Sequence, residues 1–167
     1  MALPETMTAI SISCAGGPEV LRVIERPVPK PEAGQLLIKV AYAGVNRHDC
    51  LQRASGIRPE GATDILGLEV SGEIVSTGSK ITHWKPEDKV CALVNGGGYA
   101  EYCIALESVA LPIPEKFDLR LAAALPEALL TAWLNLFMLG GLKADEWLLV
   151  HGGSSGVGTM AILTCPL

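Results

Sequence analysis

The residues that could do chemistry most directly are the glycines and serines of one short loop near the end of the sequence. The segment reads WLLVHGGSSGVGTMAIL, which is an apolar run, a glycine-serine turn, and small or apolar residues at helical spacing. Glycine lets a backbone turn sharply and approach a pyrophosphate without a Cβ atom in the way. The helix that follows presents amide groups and a partial positive charge to such an anion. The residues predicted to bind the phosphates are Gly153, Ser154, Ser155, Gly156, Val157 and Gly158.

The context of this loop favours a dinucleotide as its ligand. The loop reads G-x-x-G-x-G from Gly153, not the strict G-x-G-x-x-G, but it lies between a predicted strand and a predicted helix, as a dinucleotide loop requires. A Walker-type loop is excluded because the sequence has no Gly-Lys-Ser/Thr. Two alternatives stay open at this point: a glycine turn that serves packing alone, and serines that only form the turn.

Short strands dominate the sequence up to about Pro114. We predict a hairpin with arms at 7–13 and 21–25, followed by the proline-rich extended connection RPVPKPEAGQ. Further strands are predicted at 36–42, 65–75, 89–94 and 99–105. Short strands at regular spacing with glycine turns favour a small antiparallel barrel.

Helical periodicity begins after Pro114. Asp118 is predicted to cap the short helix LRLAAAL, and Pro126 to begin the longer helix EALLTAWLNLFML, which the glycine pair at 140–141 ends. The longer helix is apolar on nearly all sides, so we expect it to be buried between two domains. A strand at 147–151 then leads into the glycine loop.

Composition excludes several classes of function. The net charge of −5 and the 13 scattered basic residues argue against nucleic-acid binding. No signal peptide is recognisable, and the apolar stretch 128–142 is shorter than the ~20 residues of a membrane span. Five cysteines without a CxxC pair indicate reduced thiols of a cytoplasmic protein. With 49% hydrophobic residues and a mean hydropathy of +0.35, we expect the first half of a larger enzyme.

Six sequence blocks carry a resemblance to a known family. They are AGGPEVL (15–21), AGVNRHDCLQR (43–53), ILGLEVSGEIV (65–75), GGGYAEY (96–102), AALPEALLTAW (123–133) and VHGGSSGVGTMAI (150–162). Together they resemble the zinc-lacking NADPH:quinone oxidoreductase branch of the medium-chain dehydrogenase/reductase superfamily. The resemblance implies a β-rich chaperonin-10-like barrel (α+β), the catalytic domain, at 1–122. It further implies a junction helix and the truncated first β-α unit of an α/β Rossmann NADPH-binding domain at 123–167, with the active site in the cleft between the domains.

Both soft ligands of a catalytic zinc are replaced in this sequence. The zinc alcohol dehydrogenases of the superfamily bind the metal with a cysteine and a Gly-His-Glu motif, and here the matching residues are Asn46 and Gly67-Leu68-Glu69. An asparagine, a leucine and a lone carboxylate do not hold Zn²⁺. The four-cysteine lobe of the structural zinc is absent as well. We therefore predict no metal site, and we interpret His48 beside Asp49 as a solvent-exposed pair, not a metal site or relay.

The resemblance implies NADPH as the cofactor and a quinone, or a similar electron-poor alkene, as the hydride acceptor. Asn46 would orient the nicotinamide ring and Thr131 would line its pocket, with a turn asparagine and an ordinary helix threonine as the alternatives. Glu69 receives a structural or network role, and no residue is assigned as catalytic. Ile57 stands where the family commonly has a pocket tyrosine, in a loop that is one residue short.

Two functional hypotheses follow from the resemblance. The first is a zinc-independent NADPH:quinone oxidoreductase whose partner is a small quinone, not a nucleic acid or membrane. Its full-length parent is expected to be a homodimer, although this chain would not pair through the usual interface. The second is a catalytically silent fragment that acts as a binding or interaction module, since the ending LTCPL departs from the family's Gln-Leu-Ala-Lys-like run. A zinc alcohol dehydrogenase is a third alternative, which Asn46 and Leu68 disfavour.

Overall fold

This computed structural model describes residues 3–165, in which all the strands and one helix lie in the first two thirds of the chain and the other helices follow. The strands are β1 (Thr6–Ile12), β2 (Leu21–Pro27), β3 (Gln35–Ala43), β4 (Glu69–Thr77), β5 (Lys89–Leu93), β6 (Tyr102–Leu106) and β7 (Ala110–Pro112). The helices are α1 (Arg47–Ser55), α2 (Leu119–Ala122), α3 (Pro126–Trp133) and α4 (Gly156–Thr164). The last two residues of the ending LTCPL lie outside the described residues.

The strands form one hairpin and one curled antiparallel sheet. Strands β1 and β2 pair along their whole length, from Thr6 opposite Pro27 to Ile12 opposite Leu21, which confirms the predicted hairpin. The larger sheet has the order β6-β3-β4-β5-β7, and its paired neighbours are antiparallel. Two isolated bridges, Ala9 with Ala100 and Ser11 with Ile65, tie the hairpin to the loops of the sheet. The predicted β-rich barrel-type domain is therefore confirmed as a half-barrel.

Strand β3 carries the core of the sheet on both of its faces. Its consecutive residues Leu36, Leu37 and Ile38 are all fully buried. Successive strand side chains point to opposite faces, and these residues accordingly enter two different apolar clusters. A strand buried on both faces reads as a continuous apolar run, and this is why the sequence predicted it well.

The chain divides into two compact units between Ala124 and Leu125. In the second unit α3 packs against α4, and a π-helical segment, Leu134–Leu139, continues α3. The predicted long helix therefore exists and ends at Gly140, but its expected burial is wrong for its second half. Met138 and Leu139 are exposed, as are Trp133 and Leu134 where α3 ends.

The strand predicted at 147–151 is also wrong. No strand is assigned between α3 and α4 in the described residues, and Trp147 and Leu149 are 100% and 78% exposed. A strand forms only against a hydrogen-bonding neighbour, and the second unit contains no other strand in the part of the chain that is described. Residues 147–151 therefore have the composition of a strand but lack, in the described residues, a neighbouring strand to pair with.

Helix α1 was not predicted, although the sequence contains its signal. Asn46 is the N-cap, and the carboxylate of Asp49, three residues later, accepts a hydrogen bond from the Asn46 backbone N–H at 2.8 Å. This is the capping-box arrangement, which can be predicted from two polar side chains three residues apart in the sequence. Gly56 ends the helix in the left-handed conformation, with φ of +70°.

No helix in the described part of the chain is long and apolar enough to cross a membrane.

Candidate functional site

Asn46 lies between the end of β3 and the start of α1, where its side chain is held in place by a buried carboxylate. Its Nδ2 atom donates to Oε1 of Glu69 at 2.8 Å. Glu69 is the first residue of β4 and is only 4% exposed. A hydrogen bond to a carboxylate is stronger than one between neutral groups, so this contact fixes the amide of Asn46 at the edge of the sheet.

Gly44 allows Glu69 to lie this close to the turn before α1. The Gly44 N–H donates to the Glu69 carbonyl oxygen at 3.1 Å. A Cβ atom at position 44 would lie 2.6 Å from Cδ of Glu69, closer than real Cβ atoms approach. The role in a local network assigned to Glu69 from the sequence agrees with this geometry.

Asp49 is buried, and the solvent-exposed pair expected at His48 and Asp49 is wrong for Asp49. His48 is exposed, but the Asp49 side chain is directed inward from α1 and the residue is 3% exposed. Its Oδ2 accepts from the Asn46 N–H and from the Tyr99 hydroxyl, both at 2.8 Å, and its Oδ1 accepts from the Gly67 N–H at 3.1 Å. A buried charge requires such donors, and three here come from separate segments of the chain.

Gly67, in the Gly-Leu-Glu motif, has a conformation that only glycine adopts without strain. Its φ is +98°, and a Cβ atom there would lie 2.7 Å from Cδ1 of Tyr99 and 2.8 Å from Cα of Gly98. The backbone of the GGGYAEY block therefore lies directly against the Gly-Leu-Glu motif.

Two groups near Glu69 and Asp49 have a raised pKa. Burial, followed by the hydrogen bond to Asp49, raises the pKa of the Tyr99 hydroxyl well above its ordinary value. Burial raises the pKa of the Cys91 thiol to about 11, with a further contribution from the negative charge of Glu69. Both groups are therefore neutral at pH 7, and Tyr99 acts as a hydrogen-bond donor.

Apolar side chains flank Asn46 in the chain and remain open to solvent. Tyr42 and Val45 precede it and are exposed, and Ile57, which follows α1, is 74% exposed. Ile57, the position that the resemblance matches to a pocket tyrosine, is therefore accessible to solvent.

The glycine loop in the second unit leads directly into α4, as predicted. Ser155 is the N-cap of α4, and its Oγ accepts from the Gly158 N–H at 3.0 Å. A Cβ atom at Gly158 would lie 2.8 Å from Cα of Gly153, so the loop folds back onto the helix start. The first turn of a helix has N–H groups without intrahelical partners, which is the feature that a phosphate group uses.

The other predicted contacts of the phosphates and nicotinamide also belong to this second unit. Ser154, Gly156 and Val157 lie exposed at the start of α4. Thr131 is partly buried in α3, and its carbonyl oxygen accepts from Nδ2 of Asn135 at 2.8 Å. Of the residues predicted from sequence, the structure joins Asn46 to Glu69 directly and adds Asp49 and Tyr99 to them.

No group of three or more His, Cys, Asp or Glu side chains within residues 3–165 is arranged to hold a metal ion. The side chains of Asn46 and Leu68, the positions that the resemblance matches to zinc ligands, are also unsuited to zinc. Asn46 uses its amide nitrogen to donate to Glu69, and Leu68 has no donor atom. Zinc sites in proteins are built from cysteine, histidine and carboxylate ligands.

Comparison with known proteins settles the family. The sequence profile of the alcohol dehydrogenase GroES-like domain matches residues 32–115, which contain the sheet, α1 and the Asn46–Glu69 pair. The chain belongs to the alcohol dehydrogenase GroES-like family. The predicted membership of the medium-chain dehydrogenase/reductase superfamily is thereby confirmed, together with the fold class.

Relatives of this GroES-like chain include quinone oxidoreductases. It is 38% identical over 164 residues to the quinone oxidoreductase of Mus musculus, an alignment that covers 96% of the chain and 49% of the relative. The human synaptic vesicle membrane protein VAT-1 homolog-like protein superposes with a TM-score of 0.84 at 30% identity, over 96% of this chain and 52% of that one. Mycobacterial Rv1454c, solved in complex with NADPH, superposes with a TM-score of 0.80 at 33% identity, over 93% and 48%. The chain spans about half the length of the relatives it matches.

Proposed function

We propose that this GroES-like chain is the catalytic-domain half of a zinc-independent NADPH:quinone oxidoreductase. The hydrogen bond from Asn46 to Glu69 carries the proposal, because it fixes an amide at the position that the resemblance matches to a metal ligand of the zinc enzymes. The quinone oxidoreductase relatives and the NADPH complex of mycobacterial Rv1454c support the substrate class and the cofactor.

The residues of this chain fit the cofactor at two separate places. The start of α4, with the close approach of Gly158 to the loop before it, would hold the pyrophosphate. From the first unit Asn46 would orient the nicotinamide, and Thr131 of the second unit is proposed as a nicotinamide contact from the resemblance alone. When bound, NADPH supplies the hydride, so the protein needs to bind, orient and exclude water, and needs no Lewis acid of its own.

Orientation is the task for which the Asn46 site is built. Because Glu69 and the N-cap position of α1 restrain Asn46 at both its side chain and its backbone, little conformational freedom remains to be lost when a ligand binds. A quinone is an electron-poor acceptor, which tolerates the absence of a strong acid at the site. The proposed partner is accordingly a small, flat quinone that lies near the exposed side chains of Val45 and Ile57.

We assign residues 1–122 to the chaperonin-10-like catalytic domain and residues 123–167 to the junction helix and the start of the NADPH-binding domain. A cytoplasmic location, a metal-free site and a homodimeric full-length protein complete the proposal.

The test is an assay of NADPH oxidation with 1,2-naphthoquinone, in the native protein that contains this sequence, before and after dialysis against a chelator. We expect activity that survives chelation, and a loss of at least about tenfold in kcat/KM for Asn46→Ala. The matched control is Asn95→Ala, since Asn95 is exposed and its side chain makes only a 3.5 Å contact with the Glu60 carbonyl oxygen. Activity that disappears with the chelator, or equal losses in the two variants, would overturn the proposal.

A second candidate function is a catalytically silent binding module, and the exposed segment before the glycine loop favours it. Trp147 and Leu149 are exposed, and within residues 3–165 no strand is assigned between α3 and the loop. This candidate predicts that the chain as given binds NADPH more weakly than micromolar. Titration by calorimetry distinguishes the two, since micromolar binding by this chain would refute the silent module.

A further inference from the structure

The GGGYAEY block has no role in the proposed reaction, yet its first residues are hydrogen-bonded to the segment that leads into Glu69. Residues 94–99 run alongside residues 65–68 through four backbone hydrogen bonds. The donors and acceptors are Val94 to Leu68 at 2.7 Å, Gly97 to Ile65 at 2.8 Å, Tyr99 to Leu66 at 2.9 Å and Gly98 to Gly67 at 3.2 Å. The backbone of Tyr99 is therefore fixed immediately beside the residues that lead into Glu69.

The Tyr99 side chain continues this attachment to the other side of the site. Its ring lies against Gly67, and its hydroxyl donates to Oδ2 of Asp49 at 2.8 Å. The same oxygen accepts from the Asn46 N–H at 2.8 Å. Asp49 Oδ2 thus accepts two hydrogen bonds, one from the Tyr99 hydroxyl and one from the backbone N–H of the N-cap residue Asn46.

We propose that Tyr99 and Asp49 are positioning residues for Asn46. The Tyr99 hydroxyl holds the Asp49 carboxylate, the carboxylate holds the N-cap of α1, and the Asn46 amide is thereby kept against Glu69. The significance of Asn46 as a cofactor contact rests on the proposed function, but the contacts themselves all lie within the first unit of the chain.

The physical reason is that Asp49 cannot keep its position when a donor is removed. A buried carboxylate that loses a hydrogen bond either rotates toward another donor or admits water. Both changes disturb the hydrogen bond to the Asn46 N–H, because the phenol and that N–H share the Oδ2 atom. The Gly67 N–H donates to the other carboxylate oxygen, Oδ1, at 3.1 Å, and this hydrogen bond should weaken together with that of the Asn46 N–H.

The test compares Tyr99→Phe with Tyr102→Phe in this chain by two-dimensional NMR of the amide groups. Both variants remove only a phenolic oxygen, and Tyr102 is also buried, but its hydroxyl has no hydrogen bond among the residues described. In Tyr99→Phe we expect a shifted side-chain amide resonance of Asn46. We also expect hydrogen exchange of the Asn46 and Gly67 N–H groups to be faster by at least about tenfold, with little change at β3.

An Asn46 side-chain resonance that does not move in folded Tyr99→Phe overturns the inference, and so does an equal response in Tyr102→Phe. If Tyr99→Phe does not fold, Asp49→Asn takes its place, because it keeps the volume and one acceptor oxygen of Asp49. The same shift and exchange are then expected, and an unchanged Asn46 resonance is again contradictory. The NMR comparison is made without added cofactor. A failure of NADPH binding would therefore count against the proposed function and not against this inference.

Discussion

Replacing Gly67 by alanine should be among the most damaging single-methyl changes in this chain. The residue has φ of +98°, and a Cβ atom would lie 2.7 Å from Cδ1 of Tyr99 and 2.8 Å from the Tyr99 nitrogen. The left-handed backbone costs a non-glycine residue about 1–2 kcal/mol. The overlap with a packed loop costs about 1–3 kcal/mol more. The expected loss in the free energy of unfolding is therefore about 2–5 kcal/mol, a large part of the total of about 5–15 kcal/mol for a domain.

The chain offers a control that separates the two contributions. Gly34 also has a positive φ, of +77°, but a Cβ atom there would meet nothing within 4 Å. Gly34→Ala should therefore show the backbone cost alone, about 1–2 kcal/mol. The difference between the two variants measures the steric overlap with the Tyr99 loop.

The assay is a urea titration followed by the amide NMR signals of Ile38 and Val70, which lie in the core of the first unit. Tryptophan fluorescence is unsuitable, because Trp84 lies in the first unit while Trp133 and Trp147 lie in the second, so the signal would mix the two. A loss in Gly67→Ala no greater than that in Gly34→Ala would refute the reasoning, since it would mean that the Tyr99 loop moves aside at no cost. The same variant should weaken the hydrogen bond from the residue 67 N–H to the Asp49 carboxylate, which is 3.1 Å long in the wild type.

Contacts elsewhere in the chain predict three further results. The hydrogen bond from Arg26 lowers the pKa of Asp64 below 3.8. The stabilisation that this pair gives the folded state is therefore present above pH 3.8 and is lost as the pH falls through the lowered pKa. Since the pair is half-exposed, Asp64→Asn should cost less than about 1 kcal/mol at pH 7 and nothing at low pH, as urea midpoints at the two pH values will show. Burial raises the pKa of Cys91 to about 11 and of Cys103 to about 12, so an alkylating reagent at neutral pH should label the exposed Cys14 and Cys50 before either of them. Mass spectrometry checks this, and early labelling of either buried thiol would contradict it. Ser155→Ala removes the cap of α4, which should cost that helix about 1 kcal/mol and speed hydrogen exchange of the residue 158 N–H; unchanged exchange would show that the cap is dispensable.

Local patterns predicted the elements whose stability is local or whose burial is two-sided. The hairpin, β3, the helix capped by Asp118 and the helix that begins at Pro126 are all in the structure. Each depends on apolar periodicity, on a capping side chain or on the fixed φ of proline, and all three can be read from a few neighbouring residues. The capping pair of Asn46 and Asp49 is of the same kind, and that signal could have predicted α1.

The errors have a common cause, which is that burial and pairing need partners from elsewhere in the chain. Residues 147–151 have the composition of a strand, but a strand requires a neighbour. The second half of the long helix is apolar but exposed in Met138 and Leu139. Asp49 was expected in solvent, yet it is buried and bonded to Gly67 and Tyr99, which lie 18 and 50 residues away in the sequence.

The sequence by itself determined the family and the glycine-rich start of α4, because these are properties of residue type at fixed spacing. Tertiary structure alone decided that Asn46 donates to Glu69 and that Asp49 joins three loops at one buried carboxylate. Such contacts form only when β3, β4 and the loop before β6 come together, and no local pattern encodes the donor that a buried oxygen will meet. The identity of Asn46 was visible in the sequence, but the geometry that holds its amide was not.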